Sequence, residues 1–273
     1  MSNFLITPYK EFGSIETFTI RYQSNGHWVN GFVAKPKLIE GKLPCIIFNR
    51  GGSFEFGAID DVTLEKRMSL IASWGYVVIA SQYSGNGGSE GKDECGGAEV
   101  DDVLCLKTYL ENISGADTLR IGMVGGSRGG TMTYLCCAKV DWLKAAVIVA
   151  GMADGDRATQ ERPKMADVWV RAFGNTPEGR RERSAVHFAE KFCKTTPVLL
   201  MHGTADWRVS PLDSLDLATK LFIEKVPYRL VMFEGGDHSL SEHRRAYFDL
   251  MQEWLHRFVR DESPLPNLVP HGE

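Results

Sequence analysis

The sequence predicts a doubly wound α/β fold, in which helices cover both faces of a mostly parallel β-sheet. Segments rich in β-branched residues alternate with segments of helical periodicity, and most of the strand segments are apolar on both faces. The length of 273 residues suits one large domain, so we expect residues 1–273 to form a single unit. Hydrophobic residues make up 43% of the chain and charged residues 24%, which excludes a disordered or fibrous protein.

The chain is expected to enter the sheet through an antiparallel hairpin. Two β-rich segments, 16–22 and 28–34, flank the turn sequence Ser24-Asn25-Gly26. Further strands are predicted at 45–49, 76–82, 119–124, 145–150, 198–201 and 228–233.

Between the strands lie helical patterns and one irregular stretch. Apolar residues recur every three or four positions in 103–113 and in 247–258, which predicts two amphipathic helices. Residues 152–194 are polar and mixed, and they are too many for an ordinary connection between strands. We expect short helices there that form a small cap over the edge of the sheet.

Charge and cysteine usage narrow the class of protein. The net charge is −4, so there is no basic surplus for nucleic acid. No apolar run approaches the ~20 residues of a membrane span, and the N-terminus lacks a signal-peptide layout. The six cysteines contain no CxxC pair, and they are interpreted as reduced. A cytoplasmic protein without a nucleic-acid or membrane partner is therefore expected; homo-oligomer formation is left open.

The motif Gly-x-Ser-x-Gly, typical of a serine nucleophile, occurs around Ser89 and again around Ser127. The chemistry requires a sharp strand-to-helix turn, where helix amides can bind an oxyanion. Ser127 lies between the predicted strand 119–124 and an apolar segment typical of a buried helix. Ser89 lies inside a polar, glycine-rich loop. We therefore predict Ser127 as the nucleophile.

The candidate base is His238, in the segment EGGDH directly after the last predicted strand. Ser239 and Glu242 predict a capping box that opens the last helix, which places His238 on the preceding loop. Among the other histidines, His202 ends a predicted strand, and structural packing is the expected role there.

The candidate acid is Asp206, in the segment HGTAD between a strand and a helix that Ser210 and Pro211 would open. Asp154 and Asp156, which follow the preceding strand, are the rival positions.

The order of serine, aspartate and histidine along the chain is that of α/β-hydrolases. All three residues are expected beyond the carboxyl ends of strands, where this type of sheet collects its functional groups. Ser127 would attack a carbonyl, His238 would carry the proton, and Asp206 would orient the histidine.

At these positions the sequence resembles the catalytic domain of the prolyl oligopeptidase family, within the α/β-hydrolase superfamily. The resemblance implies an α/β-hydrolase fold with a triad of Ser127, Asp206 and His238. It also implies an oxyanion hole from the backbone N–H of Arg128 and a second donor near Gly52. No β-propeller is expected before the domain. The segments that carry the resemblance are SGNGGSEG (84–91), GGSRGG (125–130), RSAVHFAEKF (183–192), HGTADWRVSP (202–211) and GGDHS (235–239).

Arg50 stands where members of the family often place a tyrosine or a histidine. It has two interpretations: an ion pair with Asp101 or Asp102, which we favour, or a clamp for a substrate carboxylate. Phe54, Phe56 and Trp207 are candidates to line a substrate pocket, and packing is an equal alternative for each.

The sequence thus predicts a serine hydrolase that cleaves a small carboxylic ester or related acyl substrate. The alternative is a peptidase or aminoacyl hydrolase acting on short peptides, and a non-catalytic binding protein is a third option. No metal or organic cofactor is implied, since GxGxxG, P-loop and HExxH motifs do not occur.

Overall fold

The computed structural model describes residues 3–272, and a mixed β-sheet of nine strands forms its centre. The strands in chain order are β1 (Phe4–Phe12), β2 (Ile15–Ser24), β3 (His27–Pro36), β4 (Leu43–Asn49), β5 (Val77–Ser81), β6 (Ala116–Gly126), β7 (Leu143–Val149), β8 (Val198–Gly203) and β9 (Tyr228–Phe233). Across the sheet their order is β1-β2-β3-β5-β4-β6-β7-β8-β9. The six strands β4 to β9 pair with one another in parallel. The pairs β1–β2, β2–β3 and β3–β5 are antiparallel.

Helices connect the strands and cover the sheet. The α-helices of residues 3–272 are α1 (Asp61–Thr63), α2 (Ser69–Ser73), α3 (Val100–Leu104), α4 (Leu106–Leu110), α5 (Arg128–Cys137), α6 (Gly155–Glu161), α7 (Lys164–Phe173), α8 (Pro177–Glu182), α9 (Pro211–Ile223) and α10 (Arg244–Leu255). π-Helical turns at Leu64–Met68 and His256–Arg260 continue α1 into α2 and extend α10. None of these helices is long and apolar enough to cross a membrane.

Each face of the sheet carries its own hydrophobic core. On one face Leu106, Met132 and Leu217, from α4, α5 and α9, pack against the strands. On the other face Met68 and Met251 belong to the opposite core, together with side chains of α2 and α10. Helices on both faces of a largely parallel sheet confirm the doubly wound fold class.

The N-terminal hairpin is confirmed, and an additional strand precedes it. β2 pairs with β3 antiparallel over its whole length, from Ile15 opposite Pro36 to Ser24 opposite His27. The sequence analysis missed β1, which pairs with β2 at the edge of the sheet. Most of β1 is exposed on both faces, so no alternation of apolar and polar residues marks it.

Two helix predictions needed correction. The pattern at 103–113 does not form one continuous helix, because the amide of Thr108 bonds to the carbonyl of Cys105, only three residues back. The predicted capping box at Ser239 is wrong as well. The Asp237 carboxylate accepts the amides of Ser239 and Ser241 in a turn, and α10 begins only at Arg244.

Between β7 and β8 the chain leaves the sheet and forms the short helices α6, α7 and α8. The Asp154 carboxylate caps α6 by accepting the amides of Asp156 and Arg157. Helix α7 buries Trp169 and ends at Gly174, whose φ of 82° is the left-handed conformation that glycine favours. The role of residues 152–194 as a cap remains a prediction at this point.

Candidate active site

Ser127 occupies a sharp turn between β6 and α5. Its φ of 54° and ψ of −125° lie in a region that residues other than glycine rarely adopt. Gly125 and Gly129 make the turn possible, because a Cβ on Gly125 would lie 2.0 Å from the carbonyl oxygen of Gly129. A Cβ on Gly129 would lie 2.1 Å from the carbonyl oxygen of Asn49. The geometry is that of a nucleophile elbow.

Asp206 and His238 come together at the carboxyl ends of two neighbouring strands. Asp206 follows β8 and His238 follows β9, and the two strands pair in parallel. The distance from His238 Nδ1 to Asp206 Oδ2 is 2.7 Å. The Asp206 side chain is fully buried, and that of His238 is 13% exposed. An aspartate on Nδ1 leaves Nε2 of the histidine free for proton transfer.

Backbone and side-chain donors fix the Asp206 carboxylate. Its Oδ1 accepts the amides of Arg208 at 2.8 Å and Val209 at 3.0 Å. Burial would raise the pKa of Asp206, but hydrogen bonds from His202 and His238 outweigh burial and hold that pKa well below its usual value. The carboxylate is therefore ionised at neutral pH.

His202 is a member of this cluster that the sequence analysis assigned to packing. Its Nε2 lies 3.1 Å from both Asp206 Oδ2 and the carbonyl oxygen of Val209. Both partners are acceptors, so Nε2 carries a proton, and Nδ1 faces Ser214 Oγ at 2.7 Å. His202 is completely buried, and it contacts the same carboxylate oxygen, Oδ2, as His238 does. The spacing of four residues between His202 and Asp206 was the available signal.

The rival residues are engaged elsewhere. Asp154 caps α6, and Asp156 is exposed and pairs with Arg180. Ser89 lies in the loop after β5, where its Oγ accepts the amide of Asn30 at 2.9 Å. The structure thus places Asp206, and neither rival aspartate, against His238.

The loop after β4 lies against Ser127. A Cβ built on Gly51 would come within 3.5 Å of the Ser127 Cβ. Gly52 has a φ of 77°, and a Cβ there would lie 2.0 Å from the carbonyl oxygen of Phe56. The Arg128 guanidinium donates to the Gly52 carbonyl oxygen at 3.2 Å, which ties the loop to the start of α5.

Arg128 also anchors the elbow to the loop before α3. Its guanidinium donates to Asp93 Oδ2 at 2.7 Å and to Glu99 Oε1 at 3.0 Å, and the three side chains are almost completely buried. Burial opposes ionisation of Asp93, yet the charge of Arg128 prevails and lowers the pKa of that carboxyl to about 2. From the sequence only the backbone N–H of Arg128 was expected to contribute, and the contacts of its side chain were missed.

Arg50 forms neither of the contacts expected from the sequence. Its guanidinium donates to the carbonyl oxygens of Gln82, Gly51, Phe54 and Phe56, and the residue is only 1% exposed. The expected ion pair is wrong, because four backbone carbonyls already take the donors of the guanidinium. The same contacts leave a substrate clamp at this residue without geometric support.

Ser127 and His238 line one cavity of about 610 Å³. Phe54 and Phe56 line it too, as the sequence allowed, together with Met165 of α7. Trp207 does not: it is 69% exposed beside the cavity, with the guanidinium groups of two neighbouring arginines over its ring. Within residues 3–272, no group of His, Cys, Asp and Glu side chains is arranged to hold a metal ion.

Solved structures share this fold. The chain is similar to the acylaminoacyl peptidase of Pyrococcus horikoshii, with 24% identity and a TM-score of 0.79, over 98% of this chain and 44% of that one. It is similar to an acetyl xylan esterase from Paenibacillus sp. R4, with 16% identity and a TM-score of 0.70, over 92% of this chain and 88% of that one. The fold is that of the α/β-hydrolases.

The sequence comparisons narrow this class. The model of the prolyl oligopeptidase family matches residues 62–262. A Bacillus subtilis (strain 168) protein named uncharacterized peptidase YtmA is 31% identical over 248 residues, which are 88% of this chain and 93% of that protein. The chain belongs to the prolyl oligopeptidase family, as the motifs predicted, and is therefore a serine hydrolase. It spans less than half of the length of the acylaminoacyl peptidase.

Proposed function

We propose that this chain is a serine peptidase that cleaves short peptides through an acyl-enzyme, with Ser127 as nucleophile, His238 as base and Asp206 as acid. The observation that carries the proposal is the 2.7 Å contact between His238 and Asp206 at a cavity that Ser127 also lines. The strained backbone of Ser127 supports it, since nucleophile elbows hold their serine in this way.

In the proposed mechanism Ser127 Oγ attacks the carbonyl carbon of the scissile bond while His238 Nε2 takes the hydroxyl proton. Asp206 keeps the His238 ring in the required tautomer and stabilises the imidazolium. The imidazolium then gives its proton to the leaving amine, and water releases the acyl group by the same steps.

We assign the oxyanion hole to the backbone N–H of Arg128 and a second amide near Gly52. Helix α5 begins at Arg128, so this N–H is one of the first four, which have no partner within a helix. The proximity of Gly51 to the Ser127 side chain supports a donor from the loop after β4.

The comparisons reverse the order of the two substrates considered from the sequence. The sequence analysis favoured a small ester and kept a peptide as the alternative. The family match and the peptidase name of the Bacillus subtilis relative favour the peptide.

We propose that this chain forms one domain, in which residues 152–194 act as a cap. Met152, Ala158, Met165, Val168 and Trp169 from this segment line the cavity. The volume of about 610 Å³ suits a small ligand rather than a folded protein chain.

We further propose a reducing location, such as the cytoplasm. All six cysteines are unpaired, and burial raises the pKa of Cys45 to about 12, so this thiol stays protonated and inert. Detection of the protein only in a secreted or periplasmic fraction would contradict this location.

A panel of p-nitrophenyl esters and aminoacyl p-nitroanilides tests the substrate class. We expect robust, saturable cleavage of the anilides, and no turnover of either class by the Ser127→Ala variant. Cleavage of esters alone would instead identify an esterase. A folded wild-type protein that cleaves neither class and resists a fluorophosphonate would indicate a non-catalytic binding protein.

A further inference from the structure

Two arginines of the cavity wall, Arg162 and Arg208, lie against the ring of Trp207. Arg162 comes from the segment that follows α6, and Arg208 from the loop that carries Asp206. Their guanidinium carbons lie 5.4 Å and 5.3 Å from the centre of the Trp207 ring. Arg162 also donates to the carbonyl oxygen of Arg208 at 2.8 Å, so Arg162 is fixed to the backbone of the loop that carries Asp206. We call these three residues the arginine pair and its tryptophan.

The arginine pair has no carboxylate partner, and the partners of Arg50 and Arg128 set those two arginines of the cavity wall apart from it. Arg128 is paired with Asp93, and Arg50 is saturated by backbone carbonyls. Within residues 3–272, neither Arg162 nor Arg208 forms an ion pair with a carboxylate.

Two acidic groups of the cavity wall are near enough to need consideration. Asp213 is occupied by Arg157, with 2.9 Å between Oδ1 and Nη1, and by the amides of Ala153 and Asp154. Glu161 accepts a hydrogen bond from Ser210 at 3.3 Å. Among the residues that the structure describes, neither carboxylate forms an ion pair with Arg162 or Arg208.

The two positive charges also disfavour each other. Burial lowers the pKa of Arg162, and the charge of Arg208 lowers it further, while Asp206 acts in the opposite direction. Both guanidinium groups remain charged at neutral pH, because an arginine in a protein does not lose its proton there. An anion between them would relieve the repulsion and receive donors that stacking on an indole has already oriented.

We propose that Arg162 and Arg208 form a carboxylate-binding subsite, so that the preferred substrates are short peptides with a negative charge close to the scissile bond. The inference rests on the proposed function, because it takes this cavity to be the one that holds the peptide. A peptide carboxylate fits this site better than the phosphate group of a larger ligand, because a cavity of about 610 Å³ holds only a small molecule.

The carboxylate has two sources in a peptide: the C-terminal α-carboxylate and an acidic side chain. The Arg208 amide donates to the Asp206 carboxylate, so the subsite adjoins the acid and base. His238 must reach the leaving amine, and the leaving fragment of a short peptide ends in the α-carboxylate. We therefore expect the C-terminal α-carboxylate to bind the arginine pair more tightly than an acidic side chain does.

Binding to the Ser127→Ala variant tests the subsite without relying on turnover. Isothermal titration would compare Ala-Phe-Ala with its C-terminal amide, and Ala-Phe-Asp-amide with Ala-Phe-Asn-amide. We expect the free acid to bind about tenfold more tightly than the amide, as for a charge-assisted hydrogen bond. The Asp and Asn peptides show whether a side chain serves as well. Equal affinity within both pairs would overturn the proposal.

Variants assign the effect to the arginine pair. On the Ser127→Ala background, Arg162→Gln and Arg208→Gln should each reduce the difference in affinity between the free-acid peptide and its amide. Arg181→Gln, an exposed arginine of α8 outside the cavity wall, should leave that difference intact. Unchanged discrimination in both cavity variants would contradict the assignment.

Hydrolysis of the same peptides by the wild-type enzyme separates the two proposals. If the acid binds more tightly in the Ser127→Ala variant but no peptide is cleaved, the subsite stands and the peptidase proposal fails. If peptides are cleaved without preference for the acid and bind equally, the peptidase proposal stands and the subsite fails.

Discussion

The chain contains the same five-residue pattern twice, and the two copies have different structures. Ser127 lies between β6 and α5 with a φ of 54°, at a cavity that His238 also lines. Ser89 lies in a polar loop, where its hydroxyl accepts the amide of Asn30 from β3. The motif therefore identifies a candidate, while the elements on either side of it determine whether the serine is placed at the cavity.

The flanking glycines differ for a physical reason. At the elbow, added Cβ atoms on Gly125 and Gly129 would collide with backbone, which cannot move aside. In the loop, Gly87 and Gly91 have φ values of 55° and 84°, and their added Cβ atoms would meet side chains of Gln82 and Ser84. Glycine permits close approach of strand and helix in the first copy and a left-handed backbone in the second.

Removing the hydroxyl of Ser127 or of Ser89 tests most directly whether the two copies of the motif differ in function. Ser127→Ala should lower kcat by on the order of 10⁶-fold, as for other serine nucleophiles. Ser89→Ala should retain wild-type turnover and lose about 1 kcal/mol of stability, because the Asn30 amide loses its acceptor. Steady-state kinetics and urea unfolding measure the two effects. Comparable losses of kcat in both variants would contradict the comparison.

Asp206, which we propose as the acid of the triad, should give the second largest effect on turnover. Asp206→Asn should lower kcat by on the order of 10⁴-fold, because His238 loses the partner that sets its tautomer. Asp154→Asn is the matched control, since asparagine also caps a helix and Asp154 caps α6. A dead Asp154→Asn variant beside an active Asp206→Asn variant would move the acid to the other loop.

Asp93, just after the glycine-rich loop, joins the two regions by binding Arg128 of the elbow. Asp93→Asn should lower stability by about 3 kcal/mol at neutral pH, because it leaves a buried guanidinium with one partner fewer. The pKa of Asp93 is lowered from 3.8 to about 2, so its ionised form stabilises the fold above pH 3.8, and this contribution is lost as the pH falls toward 2. The stability difference between wild type and variant should therefore shrink over that interval. A constant difference would show that the charge of Asp93 is not the cause.

Replacing His202 should lower turnover less than replacing Ser127 or Asp206, because His202 acts through Asp206. His202→Leu should lower kcat about tenfold with little change in KM, the expected loss of one hydrogen bond to a charged group. His202→Gln offers an amide donor and should restore part of the loss. If both variants lose only thermal stability and keep kcat, His202 has the packing role predicted from the sequence.

Features that depend on local sequence were predictable. The apolar strand, the glycines and the apolar helix around Ser127 are contiguous in the chain. Asp206 and His238 follow two recognisable strands, so their meeting at one edge of the sheet follows from the parallel order.

Features that depend on distant contacts were not predictable in the same way. Strand β1 has no buried face, and only its pairing with β2 defines it. The carbonyls that hold Arg50 come from Gln82 and from a loop with left-handed residues, which no spacing reveals. Arg162 donates to the carbonyl oxygen of Arg208, which lies 46 residues further along the chain, and no local pattern predicts this contact.

Covalent labelling with a fluorophosphonate, followed by peptide mass mapping, tests the central claim most directly. The reagent reacts with a serine only when a base activates it. We predict a single adduct on the peptide that contains Ser127, and no adduct in the His238→Ala variant. An adduct on the peptide that contains Ser89, or an unlabelled Ser127 in the folded wild-type protein, would contradict the account.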